Sequence, residues 1–317
     1  MKKLFSRNSK QSTSQKDKKT NLKSLTFKQS ISLLVLATLF LFGASGYYWY
    51  QNVFTNPDRV LSGMLDKSLQ TVNVQRQVSQ SDNSNSLDQA VYLSFSPDTL
   101  SNSQTVLTET TGQGKTMVTT ENLGTPNADY VRYTDIDVSS NQNKRNFDNI
   151  IGVWGKRDNK PETGEAASFL KDALFSVVPF GNLDNSQRNE IKEEIKKTNL
   201  YQYREAKTEY KNGRPVMTYT IDLDPQALVT VLSKHAEITG VGGGSELNPA
   251  MYEGAQKVPV KLEVDLLSRH VANVEFLGSG RAEVYRAYNS IRQIEVPEDT
   301  IGIDELQNRL QELEKRS

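Results

Sequence analysis

The chain has no cysteine, two histidines, two tryptophans and no net charge across its 317 residues. Without cysteine there are no disulfides, no thiol nucleophile, no cysteine-bound zinc and no cysteine-linked lipid anchor. The two histidines, His235 and His270, do not fall in a metal-ligand pattern such as HExxH, so both are read as structural. His235 is placed near a helix end, where a positive charge would meet the helix dipole. His270 is placed in or beside a turn.

The neutral total conceals an asymmetry. Residues 1–28 carry nine basic side chains and one acidic, Asp17, while residues 29–50 carry no charge at all. The rest of the chain is therefore net acidic, which argues against a nucleic-acid surface there. Residues 31–50 read ISLLVLATLFLFGASGYYWY. Twenty such residues in a helix span ~30 Å, the hydrocarbon thickness of a bilayer. The preceding basic residues predict a cytoplasmic N-terminus, and Tyr47, Tyr48, Trp49 and Tyr50 would sit at the outer interface. Ala44 and Gly46 are spaced like a signal-peptidase site, so a cleaved leader is the alternative. The expected organisation is a disordered basic tail over 1–28, near anionic lipids, and a transmembrane helix over 29–52. An extracytoplasmic domain follows over 56–300, then a short charged helix over 301–317.

In that domain the hydrophobic period alternates between two and 3.6. A helix is predicted over 57–70, with Asn56 as its cap and Pro57 in its first turn. Strands are predicted over 74–79, 89–95, 104–110, 116–122 and 130–135, and a further one over 147–154. Helices are predicted over 165–178, 186–198 and 225–237. Strands over 201–210 and 215–223 flank Asn212-Gly213, a strong hairpin signal. The late strands are 258–266, 271–277, 282–288 and 291–296. Roughly eleven strands joined by short turns, with helices in separate blocks, define an α+β fold on one long antiparallel sheet. Accumulated twist makes such a sheet curl, with helices over its concave, apolar face.

Patterns for catalysis are weak. Ser168-x-x-Lys171 and Ser81-Asp82-Asn83 match two penicillin-binding motifs, but in reversed order and without Lys-Thr-Gly. The glycines over 240–244 lack the Lys-Ser/Thr of a phosphate loop and are read as a flexible loop. Asp135, Asp137 and Asp148 form no calcium loop, and the carboxylates elsewhere are scattered. The reading is a non-enzymatic protein with no cofactor.

The segments YTIDLDPQALVTVLSKH, KVPVKLEVDLLSRHVANVEF and RAEVYRAYNSIRQIEVP give strand–helix, a hairpin with a Val-Asp-x-x-Ser turn, and a closing strand ending at Ile294 and Pro297. Over residues 57–297 this order resembles the LolA/LppX-like half-barrel proteins of the bacterial envelope. The resemblance implies helices covering a curved sheet, with acyl chains held between them. Candidate lining residues are Phe95, Met117 and Tyr133 on early strands, and Phe169, Leu174 and Phe175 on a helix. Late strands add Met217, Tyr219 and Ile221, then Val260, Leu262 and Val264, and finally Phe276. The same residue types would equally fill an ordinary core. The chain departs from the family in having a helix where relatives have a lipid-bearing cysteine, so any ligand role would be local: extraction, presentation or sensing. The predicted partners are a membrane, a lipid or other apolar ligand, and an envelope protein. The alternative is a secretion- or conjugation-type scaffold built on nuclear-transport-factor-like domains.

Overall fold

The computed structural model describes residues 27–82, 84–111, 114–138, 147–159, 168–241, 247–290 and 292–315. The basic tail before residue 27, most of the glycine loop and the expected helix start at 165–167 lie outside these residues. The chain divides into two compact units, Met1–Tyr50 and Gln51–Ser317.

The first unit contains helix α1, Phe27–Trp49. Its described apolar side chains are open, with Leu34, Phe40 and Phe42 between 68% and 75% exposed. Among the described residues no helix is long and apolar enough to cross a membrane, so the transmembrane helix expected over 29–52 is not found.

The second unit opens with α2, Pro57–Ser68. Asn56 caps it by accepting the Arg59 amide at 3.1 Å, and Val60, Met64, Leu65 and Ser68 form its buried stripe. Five antiparallel strands follow in series: β1 (Asn73–Ser81), β2 (Asn85–Phe95), β3 (Thr99–Thr111), β4 (Gly114–Gly124) and β5 (Ala128–Val138). Each pairs with the next, as alternation and short turns predict. The short β6, Gly155–Asp158, pairs with β5. The strand expected over 147–154 is instead a turn that buries Ile150, closed by the Ile150 amide on the Phe147 carbonyl.

Two helices follow, α3 (Ser168–Leu174) and α4 (Asn185–Thr198). α3 is shorter than its apolar stripe predicted, because the chain beyond Leu174 turns into the core. There the Val177 carbonyl accepts the Tyr201 hydroxyl at 2.6 Å. β7 (Tyr203–Lys211) and β8 (Arg214–Leu223) form the predicted hairpin, with Asn212 and Gly213 both at positive φ. α5, Pro225–Thr239, is capped by Asp224, and β9 (Val258–Asp265), β10 (Val271–Phe276) and β11 (Arg281–Arg286) complete a second meander. Last come β12 (Ile301–Gly302) and α6 (Ile303–Lys315).

All twelve strands form one open sheet, ordered β12-β6-β5-β4-β3-β2-β1-β11-β10-β9-β8-β7. The sheet is mixed, because β12 runs parallel to β6 and was not foreseen. A sheet of this length is curved by its accumulated twist. The two meanders meet where β1 pairs with β11.

One face carries the helices. Val74 and Val78 of β1, Val91 and Leu93 of β2, Met217, Tyr219 and Ile221 of β8, and Val260, Leu262 and Val264 of β9 all lie on it and are buried. The opposite face differs from expectation in two places. Period-two alternation sets Glu263 and Asp265 on the polar face of β9, yet they are only 8% and 6% exposed. Lys211 reaches over Glu263, and Asp265 accepts the amides of Leu267 and Ser268 at 2.9 and 2.7 Å to fold the β9–β10 turn. The strand expected over 291–296 is absent among the described residues. Instead Ile294 packs on Leu123, Ala128 and Tyr130, so its apolar character covers the outer face without joining the ladder.

Gly124 is where α3 rests on the sheet. A Cβ there would stand 2.4 Å from the Leu170 amide nitrogen and 2.7 Å from the Ser101 hydroxyl. Main chain cannot yield as a flexible side chain does. Gly124→Ala is therefore expected to cost about 1–3 kcal/mol in urea unfolding, the usual penalty for overpacking. Gly302→Ala, which meets nothing within 4 Å, serves as the neutral control. Equal stability of the two variants would overturn this docking.

Candidate functional site

The residues expected to line a cavity separate into three groups. Leu174, Met217, Tyr219, Ile221, Val260, Leu262 and Val264 belong to one continuous buried cluster, with Phe95, Phe175 and Phe276 packed at its margin. Tyr219 is fully buried; its hydroxyl donates to the Pro57 carbonyl at 2.6 Å, and its ring meets Tyr203 edge-on at 5.3 Å. Burial holds its hydroxyl in the neutral form, well above the usual tyrosine range. Tyr133 shares the helix-side face on β5 but stands outside the cluster, half-buried. Met117 lies on the other face, because its β3 partner is Thr108 while Ser101, which reaches the Phe169 carbonyl of α3, marks the helix side. Phe169 stands at the edge of a small cavity.

One open cleft lies between helices rather than between helices and sheet. A cleft of about 950 Å3 is bounded by α2, α4 and the approach to β7. Leu61, Leu65, Ile195 and Tyr201 supply apolar surface, while Lys192, Lys196, Asn199 and Gln202 supply polar surface. Lys192 bridges to Asp66 at 2.8 Å and the Tyr203 hydroxyl donates to Asp58 at 2.9 Å, tying α4 and β7 to α2. None of the residues singled out from the sequence lines this cleft. The available signal was Leu61 beside the Val60–Met64 stripe of α2, an apolar side chain just off the core-facing line.

The small cavity holds about 170 Å3 beneath α3, lined by Gln89, Val91, Ser103, Asn122, Phe169, Asp172 and Ala173. Arg76 does not line it but pairs in the ladder with Val91, is only 3% exposed and donates from Nη2 to the Asp172 carbonyl at 3.3 Å. On the adjacent strand β11, Glu283 is 1% exposed and accepts from Arg281 at 2.7 Å and from the Tyr285 hydroxyl at 2.6 Å. Burial, and then the neighbouring Glu283 charge, hold the Tyr285 hydroxyl neutral.

Among the described residues no group of three or more His, Asp or Glu side chains is placed to hold a metal ion. Ser168 opens α3, whereas Asp82 folds the β1–β2 turn by accepting the Ser84 and Asn85 amides. Those bonds hold its carboxyl below the usual range. His270 stacks on Tyr288, with ring centres 4.0 Å apart and planes 4° off parallel. Burial and the charge of Lys67 lower its pKa. His235 does not carry the charge foreseen for a helix end. It is 1% exposed, its Nε2–H donates to the Phe180 carbonyl at 2.9 Å, and burial pushes its pKa down to about 4. Desolvation outweighs the helix dipole here, because a fully buried ring loses its hydration on charging.

No family model and no curated protein matches the chain. Among solved structures it is similar to LprF from Mycobacterium bovis, at 10% identity and a TM-score of 0.40. The match covers 77% of this chain and 98% of that one. At this distance the two chain paths overlap only in part.

The buried His235 makes stability depend on pH. Its folded pKa lies below the ordinary value of 6.5, so the unfolded chain takes up a proton that the folded one refuses. The contribution is fully present above pH 6.5 and is lost as the pH falls towards about 4. A loss on the order of 3 kcal/mol across that window is expected in urea titrations. His235→Gln should flatten this part of the pH profile; an unchanged slope would show that other groups cause it.

Proposed function

We propose that the chain is a single-pass protein of the bacterial cytoplasmic membrane, N-terminus inside, whose outer domain binds a lipid or another apolar molecule. The uncharged run 31–50, preceded by nine basic residues, supports the anchor. The observation that carries the binding reading is the cleft between α2 and α4. Its volume of about 950 Å3 falls at the upper end of small-molecule sites, and its apolar walls belong to residues that border the main core. Leu65 and Ile195 are 6% exposed each, so an acyl chain entering there would pass from water directly onto core side chains. Lys192, Lys196, Asn199 and Gln202 at the rim are suited to a polar headgroup.

Met217, Tyr219, Val260 and Leu262 then serve as the floor that the ligand approaches, not as its immediate lining. A protein held by its own helix cannot ferry a lipid across an aqueous gap. Its role is local: lifting a molecule from the adjacent leaflet, or presenting it to a partner in the envelope. One uninterrupted sheet, rather than two helix–helix–sheet units, favours this over a nuclear-transport-factor-like scaffold.

The test uses residues 51–317, examined by native mass spectrometry after organic extraction and after addition of neutral and anionic lipids. Bound lipid is expected at one equivalent. Leu61→Glu, at a half-buried cleft position, is expected to reduce occupancy at least tenfold while leaving the circular dichroism spectrum unchanged. A folded protein that neither retains nor accepts lipid overturns the proposal.

A further inference from the structure

The sheet ends at β7, which pairs with β8 on one side; among the described residues no strand pairs with its other side. An open edge of this length is a template for a further strand, and proteins commonly guard such edges with charge. β7 carries its charge in a particular order. Glu205, Lys207, Glu209 and Lys211 alternate in sign at every second position. All four lie on the face away from the helices, because their neighbours on β8 are Thr220, Thr218, Val216 and Arg214, the alternates of the helix-side Met217 and Tyr219. Ala206, Thr208 and Tyr210 lie on the helix side, and Tyr210 is 77% exposed.

The hairpin turn fixes which main-chain groups face the open side. Lys211 and Arg214 flank a two-residue turn with Asn212 and Gly213 at positive φ, so they form a hydrogen-bonded pair. The next pair, Tyr210 and Pro215, is then a non-bonded one. Pro215 agrees with this: it has no N–H, and its carbonyl accepts the Leu266 amide at 3.0 Å, on the side away from β7. Alternation along the ladder therefore turns the N–H and C=O groups of Ala206, Thr208 and Tyr210 to the open edge.

A second copy of β7, running antiparallel, offers the same groups in return, and charge decides the register. Paired about Lys207, the two strands would set Glu205 against Glu209 and Lys207 against itself, which repels. Paired about Ala206, they would run into the bulge between Tyr203 and Glu205. Paired about Thr208, Glu205 faces the partner's Lys211 and Lys207 faces the partner's Glu209. Symmetry makes each of these pairs twice, and no like charges are opposed. We propose that β7 is a homodimerisation edge, at which two copies of this chain pair antiparallel about a twofold axis at Thr208. Thr208 and its mate, and each Ala206 and Tyr210 of the opposite copy, exchange main-chain hydrogen bonds. The exposed Tyr210 ring then covers the partner's Ala206. The interface is isologous, as twofold symmetry requires, and the charges that repel a copy in another register attract it in this one. One strand pair is a small interface, so the dimer is expected to be reversible and weakened by salt. The inference does not rest on the lipid-binding reading.

The test uses the full chain in an uncharged detergent. Because the chain has no cysteine, Thr208→Cys places its sole thiol at the twofold axis. A short bis-maleimide is expected to link this variant into a covalent dimer, whereas Thr110→Cys, exposed on β3, stays unlinked. Glu205→Lys combined with Lys207→Glu exchanges two exposed charges. It keeps the net charge and the ion pair the two side chains form at 2.8 Å, so the fold is retained. Across the axis, however, it sets Lys against Lys and Glu against Glu. Added to Thr208→Cys, it is expected to lower the linked fraction at least tenfold. Sedimentation without any thiol gives a second readout: concentration-dependent dimers in the parent chain, at least tenfold weaker in the charge exchange. Thr208→Pro removes an N–H that has no partner within the monomer, is tolerated on an edge strand, and should weaken the dimer equally. Association of equal strength in the parent and both variants, as the apolar run 31–50 would produce, overturns the proposal. So does a chain that stays monomeric at every concentration, which leaves the edge to a strand of another protein.

Discussion

The structure of the second unit depends on the pairing of its first strand with its eleventh. β1 and β11 are joined over six residue pairs, from Gln75 opposite Arg286 to Gln80 opposite Arg281. Apart from β12 beside β6, each half of the sheet pairs strands that are consecutive along the chain, joined by short turns except where α5 stands between β8 and β9 and a longer segment between β5 and β6. The seam brings together strands some two hundred residues apart, reinforced by Arg286 donating to Gln77 at 2.9 Å. Without it there would be two sheets with an unpaired edge each, and main-chain groups at such edges must find partners. With it, one face becomes continuous, and the helices that follow each meander can share a single core. The loop-closure entropy of this contact is large, but it grows only logarithmically with chain length, and six paired residues offset it.

The seam also explains why the covered face is not uniform. From β1 towards β7 the strands bring Val, Leu, Ile, Met and Tyr, and they face α2 and α5 in a dense cluster. From β2 towards β5 the same face carries Ser101, Ser103, Asn122 and Asp129. The last is fully buried, its carboxylate paired with Arg157 at 2.8 Å and accepting the Phe169 amide at 3.3 Å. α3 is therefore held by polar contacts and its close approach to Gly124 as well as by Leu170, Ala173 and Leu174 in the main core, whereas α2 is held chiefly by apolar burial. Where α3 crosses small polar residues, a cavity remains beneath it, lined by Ser103, Asn122 and Phe169 among others.

Much of this architecture was legible in the sequence because period-two alternation is strong when one face is buried. β1 to β5 and β7 to β11 coincide with alternating segments, and Asp224-Pro225 and Asn212-Gly213 mark a helix start and a turn by mechanisms that need no tertiary context. What escaped has specific causes. β12 is two residues long, too short to show any period, and its partner β6 lies far back in the chain. Residues 292–297 alternate as a strand would, but the alternation reflects Ile294 packing on the outer face. Glu263 and Asp265 looked solvated because the cations and amides that bury them come from Lys211 and from the following turn. Met117 was assigned to the covered face because an apolar side chain on a half-polar strand carries no label for which face is covered. Only the strand register supplies that label.

The same limit governs the question of cavity against core. Tyr219, Ile221 and Leu262 satisfy either reading by type, and in the structure they are closed over by α2 and its neighbours. An open volume is found one layer out, between α2 and α4, where Lys192 bridges to Asp66 and Tyr203 to Asp58. The width of this cleft is set by the separation of two helices, a quantity with no signature in strand alternation. The single buried residue that breaks the alternation of β1 does have one. In Val74-Gln75-Arg76-Gln77-Val78 the parity places Arg76 on the covered face, and a charge on that face requires a partner, which the Asp172 carbonyl supplies in part.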